Sequence, residues 1–319
     1  DRCRKISPIN KLMHLYLGID FGTTGVRTSV INEKKEELIN YSVSIESPIS
    51  KGSLVYQNPN LWWDALLKNF HYLKLKINLE DIKRLSIDGT SGTVLITNEL
   101  GDPIDHALMY NDASSVKEAE YTEVISSGHP IVSSPTNALV RALALIKKNS
   151  TESYKILHQA DWIASKIIGE FKFSDENNAL KLGYDCQNRM WPTWFEKLPI
   201  NEDSLPEILI PGQVMGTLNN KDLLDLGFSR DLEIVAGTTD SIAAFLATGA
   251  SQIGEAVTSI GTTLVVKAIS QKPIFNKEFG IYSHRLGNRW LAGGASNAVS
   301  YTHLRAHETR EDRVCRLGR

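Results

Sequence analysis

Long apolar runs are missing: no stretch of about 18 apolar residues occurs in the 319 residues, which excludes an ordinary membrane-spanning helix. Cysteine is scarce. Cys3, Cys186 and Cys315 are widely spaced, odd in number and in no CxxC pair. A disulfide framework or zinc finger is therefore not expected, and free thiols in a reducing compartment are. A surplus of charge is absent too, since 35 basic and 37 acidic side chains leave −2, which argues against a protein built chiefly to grip nucleic acid. Two nucleotide-binding signatures are also lacking. No GxxxxGK[ST] occurs, and no GxGxxG joins a strand to a helix, so neither a P-loop nor a Rossmann site is indicated. What remains is a globular chain long enough for about two domains, with 42% apolar residues to bury.

The residues that are present are organised around repeated strand–turn–strand units. Leu15, Leu17 and Ile19 alternate, and Val26, Thr28 and Val30 continue the alternation, which predicts a β-hairpin over 15–31 with GIDFGTTGVR (18–27) around its turn. A third strand is expected at 38–46. Pro59-Asn60 opens an amphipathic helix, LWWDALLKNFHYL, with Leu61, Ala65 and Leu66 at core spacing. KRLSIDGTSGTVLITNELGDPI reads as strand, glycine-rich loop, strand and turn, and helices are expected around 114–126, 137–148 and 153–168. Trp191 and Trp194 flank Pro192 in a packed turn, and a boundary is expected within 212–232. Strand DLEIVAG, helix DSIAAFLATG and a second hairpin, AVTSIGTTLVVKAIS, then open another unit. Strand, Gly-Thr-Thr, strand thus occurs twice, at Gly22-Thr23-Thr24 and Gly261-Thr262-Thr263, which suggests two related halves facing each other across a cleft.

Each feature has two readings. A glycine-containing turn frees backbone N–H groups, and threonine hydroxyls add donors, making a nest for phosphate oxygens. Asp20 beside such a nest makes sense with Mg²⁺ between them; otherwise Asp20 caps the turn and the threonines serve local backbone. Asp240 opens a helix directly after a buried strand, either as a general base or as part of a helix cap, as Thr239 would also be. Asp88, Thr90 and Ser91 in SIDGTSGT suit a polyhydroxylated ligand, or form an ordinary polar turn. Tyr110-Asn111-Asp112 would supply an aromatic wall and acceptors.

Taken together, these segments resemble the FGGY family of carbohydrate kinases. GIDFGTTGVR resembles its opening phosphate hairpin, NPNLWWDAL its P-x-x-W-W helix, and MYNDA occupies the place of its Trp-x-Asp-x-Arg segment. DWIASKIIGEFKFSDENNALKLGYD, LPEILIPGQVMGTL, AGTTDSIAAF and the second GTT follow in the family's order, so the resemblance runs from about Met13 to Val299. DGTSGT and GGASN look most like its ribulokinase- or xylulokinase-like members. The resemblance implies an α/β chain of actin-like ATPase (ribonuclease H-like) fold, with two lobes around a cleft and the second lobe incomplete.

It also implies ATP and Mg²⁺ as cofactors. Asp20 would organise the metal, while Gly22, Thr23, Thr24, Gly261, Thr262 and Thr263 would hold phosphates. Asp240 would be the base for a hydroxyl of a ketopentose or related polyol, and Asp88, Thr90, Ser91 and Asp112 would line the sugar pocket. The chain departs from the family in lacking the arginine after Asp112 (Ala113-Ser114 follow) and in carrying Ile168 before Gly169. It also lacks the glycine-rich adenosine site expected after GGASN. The expected division is 1–12 a leader of uncertain origin, 13–229 the N-terminal kinase domain, 230–300 part of the C-terminal one, and 301–319 a tail unrelated to the fold. The expected setting is cytoplasmic, or plastid if residues 1–12 are a transit remnant, with no nucleic-acid or membrane partner and a homodimer compatible with the sequence. The alternatives are an actin- or chaperone-like nucleotide switch without a sugar substrate, and an inactive truncated kinase.

Overall fold

The computed structural model describes residues 14–127, 129, 131, 132, 134–150, 153–260, 264–296 and 313–317. Period-two alternation buries one face of the first strands. In β1 (Leu15–Phe21) Leu15, Leu17, Ile19 and Phe21 are buried, and β2 (Gly25–Asn32) answers with Val26, Thr28 and Val30. β3 (Glu37–Ser44) continues the antiparallel run. On the other side of β1 lies β4 (Ile82–Gly89), parallel to it, and then β6 (Glu233–Thr239), parallel to β4. β5 (Val214–Thr217) closes that edge, giving the order β5-β6-β4-β1-β2-β3. Three parallel strands of this sheet therefore end side by side.

Helix α1 (Asn60–Lys74) covers β2 and β3, and α3 (Gln159–Ile168) covers β4 and β6. The face of α1 turned inward is Trp62, Trp63, Ala65, Leu66, Asn69, Phe70 and Leu73, with Leu61 only partly buried. The spacing of aliphatic residues pointed to Leu61; the tryptophans decide otherwise. Trp62 packs edge-on against Trp162 with ring centroids 6.0 Å apart and donates its indole N–H to Gln57 Oε1 at 2.7 Å. Trp191 and Trp194 both pack on Phe195, as the packed-turn expectation required.

Two expectations are corrected. The helix foreseen at 153–168 begins only at Gln159, because Lys155–His158 is a strand paired antiparallel with Val94–Thr97 in a small second sheet. Its inward-directed backbone donors are satisfied there by a neighbour that sequence spacing does not reveal. The unit foreseen to open at DLEIVAG does not begin there either: β6 is an inner strand of the first sheet, hydrogen-bonded on both sides. β6 also carries an irregularity between Val235 and Thr238, where a Cβ on Gly237 would fall 1.7 Å from the Ile87 carbonyl oxygen. Only glycine lets β6 lie this close to β4.

Beyond β6, α5 (Asp240–Ala247) leads into a further, separate sheet of β7 (Ala256–Ile260), β8 (Leu264–Ser270), β9 (Tyr282–Leu286), β10 (Arg289–Ser296) and β11 (Arg313–Leu317), in the order β9-β10-β8-β7-β11. The β7–β8 pair is the expected second hairpin; its turn, Gly261-Thr262-Thr263, lies outside the described residues. The backbone of β11 pairs antiparallel with β7, where the sequence showed no strand pattern. Ile242, Phe245, Val257, Ile269 and Leu291 form a separate small core. Among the described residues no helix is long and apolar enough to cross a membrane.

A buried polar network lies under β4 and β6. His158 Nδ1 is 3.1 Å from Asp161 Oδ2, and Asp175 caps the turn at Asn177 and Asn178. Burial, reinforced by the charge of Asp161, pushes the Asp175 carboxyl up to about 7. The folded state therefore holds a proton that the unfolded chain releases near pH 4, so this group's contribution is full below that pH and fades as pH rises through about 7. Asp175→Asn keeps a capping oxygen but cannot ionise. Its unfolding free energy relative to the parent is expected to rise by on the order of 1–4 kcal/mol between pH 4 and 8. Urea unfolding at both pH values measures this, and a constant difference would contradict it.

Candidate active site

Strand register assembles the site. Asp20 on β1 stands opposite Arg27 on β2 and beside Asp88 on β4, and Asp88 stands beside Thr238 on β6. One residue past β6, Asp240 begins α5. Parallel strands put equivalent positions on the same face, so the carboxylates of Asp20, Asp88 and Asp240 are gathered at the strand ends. Arg27 lies 3.6 Å from Asp20 in an exposed pair and is the counter-charge on that side. Burial, the neighbouring Asp20 (its charge and a shared hydrogen bond) and the charge of Asp240 push the Asp88 carboxyl up to about 8, against the opposing pull of Arg27. Asp88 Oδ1 is buried without a partner.

Asp240 is the first residue of α5 but does not cap it; Thr239 is the N-cap and makes no side-chain capping bond. Instead Asp240 Oδ1 accepts from its neighbour Ser241 N–H at 2.6 Å, and the Ser91 N–H also donates to this carboxylate. Burial raises its pKa, and the two N–H groups hold it down. The Gly22-Thr23-Thr24 turn is held by Gly22 N–H to Gly25 O at 2.9 Å, and Ile45 N–H binds Thr24 O at 2.8 Å. The backbone of the turn is thus fixed, while both threonine hydroxyls lack partners among the described residues.

The loop after β4 separates its four candidates. Ser91 borders an open cavity of about 370 Å³ and its hydroxyl is unpartnered. Thr90 is buried, and its hydroxyl is engaged by Gln159 Oε1 at 2.8 Å and Thr93 Oγ1 at 2.6 Å. Asp112 is wholly buried; Oδ2 accepts from Val55 N–H at 2.7 Å and both oxygens accept from the Ser114 hydroxyl. Thr90 and Asp112 therefore shape the loop from behind rather than border this cavity. Tyr110, expected as a wall, is 44% exposed and is not among the cavity's lining residues.

Arg141, which sequence reading did not single out, stands behind this loop on α2 (Ala138–Asn149). It is 1% exposed, donates to the carbonyls of Met109, Asp112 and Gly92, and is drawn toward Asp112 by charge. The arginine missing after Asp112 has no direct replacement in sequence, but a guanidinium lies against the same segment. Burial lowers its pKa to about 10.

Cations that the sequence reading passed over stand on the other side. Lys181 borders the cavity with Asn137, Asn276 and Tyr282; it donates to the Tyr282 hydroxyl and lies 4.2 Å from that ring's centre. Lys267 on β8 donates to the Ser241 carbonyl, next to Asp240. Burial, then the charge of Lys181, lowers its pKa to about 8, and Asp240 opposes this. The only sequence signal was a charge at an inward-tending position of the apolar strand LVVKAIS. Among the described residues, no three His, Cys, Asp or Glu side chains stand close enough to hold a metal by themselves.

Residues 15–247 match the N-terminal domain of the FGGY family of carbohydrate kinases. The xylulose kinase of Staphylococcus xylosus is 22% identical over 302 residues, covering 91% of this chain and 62% of its own. Among solved structures, a gluconate kinase and a ligand-bound xylulose kinase, both from Lactobacillus acidophilus, each superpose with a TM-score of 0.79 at 18% identity over 89% of this chain and 60% of theirs. The chain spans about 60% of the length of the curated relatives it matches. A family match over most of the sequence, joined to strand ends that gather Asp20, Asp88 and Asp240, means that this chain belongs to the FGGY family of carbohydrate kinases and has their actin-like ATPase fold.

Proposed function

We propose that this chain is the greater part of a kinase that transfers the γ-phosphoryl group of ATP to a hydroxyl of a small carbohydrate. The observation that carries the reading is the convergence of Asp20, Asp88 and Asp240, the last of them bound by the N–H of Ser91, which borders a cavity whose volume, about 370 Å³, lies in the range of small-molecule sites. In this reading Asp240 takes the proton as the substrate oxygen attacks phosphorus and the bond to the ADP oxygen breaks. The burial that raises its affinity for a proton suits a base, and the N–H groups of Ser241 and Ser91 orient it. Gly22, Thr23 and Thr24 would hold phosphate oxygens through the free hydroxyls and the fixed turn; Gly261, Thr262 and Thr263 would do so from the second lobe.

Mg²⁺ fits the residues present. Asp88 Oδ1 is an orphaned buried oxygen, and of the two adjacent carboxylates Asp20 is paired, among the described residues, with Arg27. A hard cation that takes one or two carboxylates and fills its shell with water and phosphate oxygens is what such a pair favours. Asp20, with Asp88, would hold that ion, and it would neutralise charge on the transferring group. Ser91 offers a free hydroxyl to the sugar, while Thr90 and Asp112 would set the loop from behind.

The test is ADP release in a coupled assay, run on a chain of its relatives' length against a panel of ketopentoses, polyols and sugar acids. The expected result is turnover that depends on one carbohydrate. Nucleotide hydrolysis indifferent to every sugar would support the nucleotide-switch reading instead.

A further inference from the structure

Helix α5 starts without a side-chain cap. Thr239 makes no capping bond, and Asp240 Oδ1 accepts from the N–H of the next residue, Ser241. The direction of the Asp240 carboxylate therefore depends on how Ser241 is held. Its carbonyl is held from the sheet that follows α5, where the ammonium group of Lys267 on β8 donates to it. Strand register brings Lys267 there. Tyr282, Gly293, Lys267 and Val257 stand opposite one another across β9, β10, β8 and β7, so they share one face of that sheet. Ile269 and Leu291, two positions along β8 and β10, lie on the same face and pack with Val257 against Ile242 and Phe245 of α5. Lys267 is thus a charge on the face that α5 covers. A Cβ on Gly293 would fall 2.9 Å from Lys267 Cγ and 2.7 Å from the Val266 carbonyl oxygen, so the glycine leaves room for the lysine stem. The opposite charges of Lys267 and Asp240 also act on each other.

We propose that Lys267 is a positioning residue for phosphoryl transfer: by clamping the Ser241 carbonyl it fixes the first turn of α5, and with it the direction of the Asp240 carboxylate. The proposal rests on the kinase reading above, in which Asp240 is the base. Lys267 does not border the cavity, so it acts through Asp240 and not on the carbohydrate. A lysine stem that ended in solvent would leave the start of α5 held by its apolar side chains alone, and these set the depth of a helix better than the direction of one carboxylate. The hydrogen bond supplies that direction. It also makes the base sensitive to the placement of β8, because the donor and the acid stand on different sheets.

Lys267→Met keeps the stem and removes the donor. In a chain of its relatives' length it is expected to lower kcat about 10–100-fold while the carbohydrate KM changes less than about threefold. Lys267→Arg, which still carries a donor to the carbonyl, should restore most of the loss. In an Asp240→Asn background Lys267→Met should lower kcat by less than about twofold more, because a residue that acts through the base has nothing left to position. On this chain itself, amide hydrogen exchange over residues 239–247 should be about tenfold faster in Lys267→Met, with exchange over β1 and β2 matching the parent and so showing that the variant folds. Should it not fold, Lys267→Gln takes its place. A kcat within about twofold of the parent, a loss confined to KM, the full loss repeated in the Asp240→Asn background, or unchanged exchange in α5 would each overturn the proposal. If the parent turns over no carbohydrate, the kinase reading falls and the proposal with it; turnover that Lys267→Met leaves intact rejects the proposal alone.

Discussion

Asp240→Asn is expected to lower kcat by about 10²–10⁴-fold in a chain of its relatives' length, while the carbohydrate still binds. The amide keeps the volume and one acceptor of the carboxylate, so the Ser241 N–H retains a partner. What is lost is the ability to take a proton from the attacking hydroxyl. Calorimetry on the variant separates the two effects: a carbohydrate Kd within about threefold of the parent, with turnover gone, assigns the loss to the chemical step. Unchanged kcat would reduce Asp240 to the first residue of a helix.

Gly237→Ala is expected to cost about 3 kcal/mol or more and to leave much of the protein insoluble. The added methyl would sit 1.7 Å from the Ile87 carbonyl oxygen and 2.7 Å from its carbon, both rigid backbone atoms between two inner strands. β6 has to move off β4, and Asp240, three residues further on, moves with it. Whatever folds should therefore show a second defect, because a displacement of about 1 Å at a catalytic group costs on the order of 100-fold in rate. A melting temperature within 2 °C of the parent, measured by circular dichroism, would show that the strand can yield and that the argument from the close approach is wrong.

Local pattern carried a large part of the fold. Alternation over 15–31 is realised as β1 and β2 to within a residue, and Pro59 stands where the helix cap is observed. It erred where partners lie far away in sequence. Lys155–His158 has no local reason to leave a helical pattern; it does so because Val94–Thr97 offers an unpaired edge. The inward face of α1 turned on two tryptophans, and the partners of Trp62, Gln57 and Trp162, lie outside the helix. The candidate site shows the same division. Asp20, Asp88 and Asp240 each stand out as an acid at a strand end or helix start. Thr90 and Asp112 looked equally apt, yet their oxygens are occupied by Gln159, Val55 and Ser114.

The amino-acid sequence by itself determined most of the strands and helices, the family, and the identity of the acids at the ends of β1 and β4 and at the start of α5, because short-range periodicity and turn chemistry act between neighbours in the chain. Tertiary structure alone decided that these acids meet, that β6 belongs to the first sheet, and that Lys267 comes to the Ser241 carbonyl next to Asp240. Those outcomes depend on strand register and on residues far apart in the chain, 220 positions between Asp20 and Asp240, and no local pattern encodes a distance of that kind.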